Sequence, residues 1–424
     1  MNKKLWLFCI STLQISQLVQ TAPLGLFEPY DINIRLRKPA QSRFYVGALG
    51  EKSYTVKGYT SKDDCDDAPT VQVNPLQIYE PAQNLIAMYQ GDDYNNSSFI
   101  QLLNKIAGGP GGGVSNFENG MFAPTGTFCV GQAALSTMYA AKHNFYVSGY
   151  LPFYFVKLHS VCWQYLGNNT LFSGSEIQQL ADAFQEDAKN IFHLNTCGWK
   201  KHGFGDLTFL VEWQRDFPQL RPVLKSVQPN LRFGISFPTG SCADQNIIMP
   251  VPFGADGSIS IPFGGSLDIN LANHVDFGFS GQFWYFWDNE KARRIKTFPT
   301  QTSLLFPVVT PVIKQHAFVQ NFNLYAQGYT LSRRLALKLC YQYWRKGEDI
   351  LSPINPEFSA TVANTAPQLA ERTEHDVFIA LTYSPKSTDF KRVFPQAQLF
   401  WKGSVKGTRA ILASTAGAQL SFIF

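Results

Sequence analysis

The chain has 424 residues, of which 45% are hydrophobic, 14% aromatic and only 16% charged, and it carries a formal net charge of +5. That apolar content excludes global disorder, and interspersed charges of both signs leave no nucleic-acid footprint. A mean hydropathy of −0.12 excludes a bundle of long apolar helices, whereas few charges beside many aromatics fit a membrane barrel whose strands alternate apolar and polar residues.

Residues 1–22 read as a secretory signal. Lys3 and Lys4 give a positive n-region, and Leu5 to Ile10 open an apolar stretch that fades by Val19, too short and too polar to span a bilayer. Residues 23–41 follow as an N-terminal periplasmic segment, and 42–424 as a single barrel. No later run of about 18 apolar residues occurs. The best contender, Phe145 to Val156, is broken by Ser148, Gly149 and Pro152 and reads as a long strand.

After a first strand at 42–59 comes an insertion at 60–120, opening on Asp63-Asp64-Cys65-Asp66-Asp67 and closing near Gly108 to Gly113. A structureless loop of that length is unusual without a job, so a plug or constriction is expected. The acidic run lacks the glycine and distal glutamate of a calcium loop, and the glycine run lacks the Lys-Ser/Thr of a phosphate loop. Strands at 121–141 and 145–164 follow. The latter holds His159-Ser160, but adjacent strand residues point to opposite faces, so no nucleophile–base bond is expected between them. With no G-x-S-x-G elbow either, no catalytic residue, metal or cofactor is assigned.

Residues 165–202 form a long loop. Ser173-Gly174-Ser175-Glu176 has the spacing of a capping box, and Ile177, Leu180, Ala181, Phe184, Ala188 and Ile191 follow at helical spacing. An amphipathic helix over the barrel mouth is expected. Beyond the signal, Cys65, Cys129, Cys162, Cys197, Cys242 and Cys340 contain no C-x-x-C pair. They read as isolated thiols, with a Cys197–Cys242 disulfide as the alternative.

From 203 onward alternation dominates. Leu207, Phe209, Val211 and Trp213 share a face of a strand at 203–214, as do Leu231, Phe233, Ile235 and Phe237 in one at 224–237. Further on, Val275, Phe277, Phe279, Gly281, Phe283 and Tyr285 repeat the pattern, then Leu335, Leu337, Leu339, Tyr341 and Tyr343. Several runs are about twice the usual soluble strand and near the length that crosses hydrocarbon when tilted. Adding 258–270, 313–329, 376–384, 393–403 and 409–424 gives twelve strands, an even number as single-chain bacterial barrels require. Short connections alternate with long ones at 60–120, 165–202, 238–257, 289–312 and 347–375, the exception being the short 404–408. The expected fold is an all-β, antiparallel up-and-down transmembrane barrel with both termini on the periplasmic side.

The hairpin from Gly203-Phe204-Gly205-Asp206-Leu207 to Gly234-Ile235-Ser236-Phe237-Pro238-Thr239-Gly240 resembles the long-chain fatty-acid transporter family and related hydrocarbon-uptake barrels. That resemblance implies a transporter with an N-terminal plug, and fourteen strands as the alternative count. The chain ends on alternating Leu420, Phe422 and Phe424, which resembles the terminal strand of Gram-negative outer-membrane barrels. The resemblance implies that these three residues are the signal read by the barrel-assembly machinery.

The sequence thus describes a barrel in the outer membrane of a Gram-negative bacterium, with membrane lipid and a small-molecule solute as partners. It is expected to act as a pore or transporter for passive passage of small solutes, hydrophobic ones included, rather than as an enzyme. The lumen face is assigned to Asp206, Glu212, Arg232, Asp276, Gln282, Asn321, Asn323, Lys338 and Gln342, whose mixed signs disfavour strong ion selectivity. The rival reading is a plugged structural or adhesive barrel that binds a partner through its external loops.

Overall fold

Period-two alternation places successive side chains on opposite faces of a strand, and the alternating stretches pair edge to edge into one closed antiparallel barrel. The computed structural model describes residues 44–61, 70–91, 97–106, 120–167, 172–330, 334–385 and 393–424. The signal at 1–22, the segment at 23–41, the acidic run and the glycine run lie outside them. Numbered along the barrel, the strands are β1 (Phe44–Ser61), β2 (Met121–Ala140), β3 (Phe145–Tyr165), β4 (Leu207–Gln214), β5 (Leu224–Phe237) and β6 (Ser260–Leu271). They continue with β7 (Val275–Phe286), β8 (Val319–Tyr329), β9 (Leu335–Lys346), β10 (Arg372–Tyr383), β11 (Phe394–Thr408) and β12 (Ala410–Ile423). Each pairs with its neighbours in sequence, and β1 pairs with both β2 and β12, which closes the sheet. At the seam Tyr45 stands opposite Ile423, and the Phe424 N–H donates to Phe44 O at 2.8 Å.

The outward face is apolar and uncovered by protein: Phe233, Phe279, Leu324, Leu339, Leu399 and Leu420 are all exposed. The inward face is polar and buried, with Glu212, Gln282, Asn321 and Gln342 among its members. A soluble monomer rarely exposes so wide an apolar band. An even strand number, an apolar belt, short turns at one end and long connections at the other define the outer-membrane type of barrel. They place the chain in the outer membrane of a Gram-negative bacterium.

Three expected boundaries shift. The stretch 313–329 divides, because the Ala317 N–H donates to Asp349 Oδ1 at 2.8 Å instead of to a ladder partner. Its first part belongs to Val308–Gln315, which forms a small extracellular sheet with Asn289–Ile295 and Ile350–Pro353. The stretch 203–214 divides at Gly205-Asp206: Trp199–Phe204 pairs with upper β3, and β4 begins afterwards. Between β11 and β12 the expected 404–408 connection shrinks to Arg409, in the left-handed region at φ 50°.

The long connections fold into a cap over the extracellular end. In the described part of the 60–120 insertion, Thr70–Val73 pairs with the upper end of β1 and Gln83–Asn84 pairs with β2. Helix α1 (Ser98–Ile106) packs on α2 (Gly174–Asn190). Leu76, Leu85, Phe99, Leu180, Phe184 and Phe253 share one core with Phe128 and Leu158 from the upper inner faces of β2 and β3. The capping box is present: the Ser173 N–H donates to Glu176 Oε2 at 2.7 Å, and the Glu176 N–H to Ser173 Oγ at 3.4 Å. Ile191, expected on the apolar stripe, is instead the exposed C-cap. Asp187 takes part in the buried face because it serves the neighbouring helix. It accepts from Ser97 Oγ at 2.5 Å, Tyr89 OH at 3.2 Å and the Phe99 N–H at 3.0 Å, a carboxylate at the positive end of α1.

One place breaks the strand rule. The β11–β12 ladder stops at Lys402 opposite Thr415, and above it Ala410, Ile411, Leu412 and Ala413 are buried in succession. Ile411 and Ala413 join the cap core, while Trp401 Nε1 on β11 donates to Tyr54 OH on β1 at 2.5 Å, reaching past β12.

Candidate functional site

Of the nine residues assigned to the lumen face, seven form a buried polar layer inside the barrel. Glu212 accepts from Ser148 Oγ at 3.2 Å and from Asn230 Nδ2 at 3.4 Å, and Arg232 Nη2 donates to Asn230 Oδ1 at 3.1 Å. Asn323 donates to Asn321, and the Lys338 ammonium lies 4.1 Å from the Tyr325 ring centroid. Gln282 and Gln342 complete the layer, and all seven are at most 7% exposed. Side chains therefore fill the lumen at this level. Asp276 sits lower, near the periplasmic turn, where it accepts from Tyr329 OH at 2.5 Å and from Asn270.

Asp206 lies at the other end, at the head of β4. It accepts the Gly240 N–H at 2.9 Å and the Ala255 N–H at 2.7 Å, which ties down the 238–259 connection. Burial raises its pKa to about 6, although the two amide bonds act in the opposite sense. The cadence around it has a local physical cause. Thr239 Oγ1 accepts from the Leu207 N–H and donates to Gly205 O, both at 2.9 Å. A Cβ on Gly240 would lie 1.7 Å from Phe253 O, so only glycine permits that approach.

The layer includes residues that sequence reasoning missed. Thr415 Oγ1 donates to buried Glu51 Oε2 at 2.8 Å, and Lys402 Nζ pairs with Asp376 at 2.9 Å. Lys402 alternates with outward Leu399 and Trp401, so the same parity argument would have found it. Glu51 was harder, because Lys52 puts a charge on the outward face of the same strand. Among the charged members, Glu51, Glu212, Glu374 and Asp376 stand with Arg232, Lys338 and Lys402, a mixture of both signs.

Above this layer, between the upper ends of β7 to β10 and the cap, lies a cavity of about 290 Å³. Leu194, Met249, Val319, Leu351, Leu369 and Ile411 make its apolar wall. Its charged lining comes from four separate connections and strand ends. Arg293 pairs with Asp256, and Arg294 donates to the carbonyls of Phe192 at 2.7 Å and Phe306 at 3.0 Å. Asp349 accepts from both Lys314 at 2.8 Å and Lys346 at 2.6 Å. Burial opposes ionisation of Asp349, but the two ammonium groups outweigh it and hold the carboxyl well below its ordinary value. Burial, then Lys314 and Lys346, push His316 down to about 2, so its ring is neutral.

On the outer wall the expectation for His159-Ser160 fails. A bulge between β2 and β3 puts Ser160 at φ 55°, which breaks the alternation. His159 Nδ1 thus lies 3.0 Å from Ser160 Oγ, and its Nε2 lies 3.3 Å from Cys129 Sγ. Cys197 and Cys242 are both free thiols, so the alternative disulfide is not formed. Leu420, Phe422 and Phe424 are exposed on the outward face at the periplasmic end.

No family model matches the sequence, and no curated protein does. Among solved structures, the chain is similar to an outer membrane channel from Pseudomonas putida F1, at 9% identity and a TM-score of 0.48, covering 95% of this chain and 100% of that one. It is similar also to a toluene transporter from Ralstonia pickettii, at 8% identity and a TM-score of 0.33 over 91% and 90% of the two chains. A Pseudomonas aeruginosa homologue of the long-chain fatty-acid transporter aligns at 8% identity and a TM-score of 0.29 over 90% and 89%. Likenesses of this degree transfer no substrate from one protein to another.

Proposed function

We propose that this protein is a channel or transporter for small solutes, hydrophobic ones included, across the outer membrane. The observation that supports it best is the vertical order inside the barrel: an apolar-walled cavity beneath the cap, then a polar layer carrying charges of both signs, then the periplasmic mouth. In this reading Glu212, Arg232, Gln282, Asn321, Asn323, Lys338 and Gln342 line the path, Asp206 anchors its cap and Asp276 stands at its exit. Passage requires the polar layer to move, since its side chains fill the lumen. The mixed signs predict weak ion selectivity.

The packed lumen and folded cap also favour a second reading, a plugged barrel whose external surface binds a partner. Full-length protein in proteoliposomes, assayed for flux of small labelled solutes and for ion current in planar bilayers, separates the two. Solute flux or steady current supports the channel. Silence in both assays, with the barrel correctly folded, overturns it in favour of the plugged barrel.

A further inference from the structure

The cavity beneath the cap is not electrically balanced. Its lining holds five cationic side chains, Arg293, Arg294, Lys314, Lys346 and Arg372, against two carboxylates, Asp256 and Asp349. Asp256 is engaged by Arg293, and the single Asp349 is shared by both lysines. Arg294 is spent on backbone carbonyls. The side chain of Arg372, which stands opposite Lys346 at the head of β10, makes no hydrogen bond or ion pair with any described residue. Glu374, two residues further along the same strand, feels the charge of Arg372 but gives its hydrogen bond to Asp376. His316 adds a buried Nε2 without a hydrogen-bond partner, on a ring 5.7 Å from that of Phe286. Cations gathered at an apolar wall with too few counter-charges are costly unless an anion joins them.

We propose that this cavity binds small organic anions carrying one carboxylate on a compact apolar body, with the carboxylate on Arg372 and the body against the wall of Val319, Leu351 and Ile411. The guanidinium fork matches a planar two-oxygen carboxylate. Lys346, beside it, supplies a second positive charge. A neutral hydrocarbon would fill the wall but leave the charge unmet, and inorganic phosphate would meet the charge but forfeit the wall. A divalent cation is repelled. The inference rests on the channel reading for its purpose, since it names the class of solute that would pause on the way in.

Binding of benzoate to the full-length protein in detergent, followed by calorimetry, tests it, with toluene and inorganic phosphate as controls. Benzoate is expected to bind more tightly than either control. Arg372→Gln should weaken benzoate at least tenfold, and Arg372→Lys should recover part of the loss, while toluene binding stays unchanged in both. Benzoate affinity that is unaltered in Arg372→Gln overturns the proposal, as does toluene or phosphate binding as tightly as benzoate. A fall in toluene binding alongside benzoate would mean the variant has deformed the cavity. In that case Val319→Ala, which touches only the wall, must weaken benzoate and toluene together and leave phosphate alone, or the proposal fails. Benzoate binding without solute flux would leave this site standing and sink the channel. Flux of uncharged solutes without benzoate binding would do the reverse.

Discussion

The membrane half of the barrel and the extracellular cap follow opposite rules of burial. In β7, Phe279 faces outward and is half exposed, while Gln282 on the other face is fully buried. In α2 the order is the ordinary one, with Phe184 buried and Gln178 and Asp182 on the outer side. The difference lies in the solvent. Hydrocarbon covers the barrel, where apolar burial gains little and the requirement is that no backbone group be left unpaired. Water surrounds the cap, where apolar burial supplies the drive. The two regions should therefore fail in different ways.

The largest effect is expected where the ladder itself is cut. Deleting 415–424 removes the part of β12 that pairs with both β1 and β11, leaving two edges in hydrocarbon at several kcal/mol per unsatisfied group. Loss of the heat-modifiable folded band in gels is the expected result, and retention of it would refute the closure argument. Phe424→Ser keeps most of the pairing and removes one exposed ring. If Leu420, Phe422 and Phe424 are what the assembly machinery reads, this variant inserts slowly in cells yet refolds normally in lipid.

Next come two phenylalanines with opposite surroundings. Phe184→Ala opens a cavity in the cap core and should cost about 3–5 kcal/mol, seen as protease sensitivity of the cap with the barrel intact. Phe279→Arg places a charge on the lipid face and should cost about 2–4 kcal/mol if it lies near the bilayer midplane, seen as a lower yield of folded barrel with the cap unaffected. Gln282→Arg, three residues on and on the inner face, puts its charge among polar neighbours such as Asn321 instead of lipid, so it should cost folding less than Phe279→Arg and change conductance. Equal folding costs for Phe279→Arg and Gln282→Arg would remove the distinction between faces.

The barrel was legible because its signal is local. Alternation over ten residues identifies a strand and its two faces, and Phe233 against Arg232 or Phe279 against Gln282 needs no partner to be read. The helix α2 was legible for the same reason, through Ser173, Glu176 and the apolar spacing. The cavity was not. Arg293, Lys314, Lys346 and Arg372 are spread over some eighty residues of chain, and each meets the others only after the connections fold over the rim. Asp206 misled in a related way: its position in an alternating run marked it as lining the lumen, but its amide partners Gly240 and Ala255 lie far along the chain.

Asp206 also joins the two regions, and its titration tests how firmly. Folded, its pKa is raised to about 6 from 3.8 by burial, so between those values the folded chain holds a proton that the unfolded chain has released. Stability on this account falls as pH rises from 3.8 to about 6, by at most about 3 kcal/mol, and is level above that. Protease protection of the cap measured from about pH 4 to about pH 7 should follow that slope, and Asp206→Asn should flatten it. A slope that survives the substitution would assign it to another group.

The smallest effect isolates the cap from the barrel most cleanly. Ser173 caps α2 on the exposed side of the cap, where its hydroxyl accepts from the Glu176 N–H and its own N–H is taken by the Glu176 carboxylate. That bond is also why Glu176 titrates below its ordinary value, Ser173 being the donor from both side chain and backbone. Ser173→Ala removes half of this exchange and should cost about 1 kcal/mol, whereas Ser173→Gly should cost only a few tenths. Hydrogen exchange is the right probe, because a loss this small will not move the barrel's resistance to heat. Faster exchange should be confined to the first turns of α2 and to the α1 amides that lean on it through Asp187. If amides in β7 or β12 quickened by the same factor, cap and barrel would unfold as one cooperative unit, and the two burial rules would describe one transition instead of two.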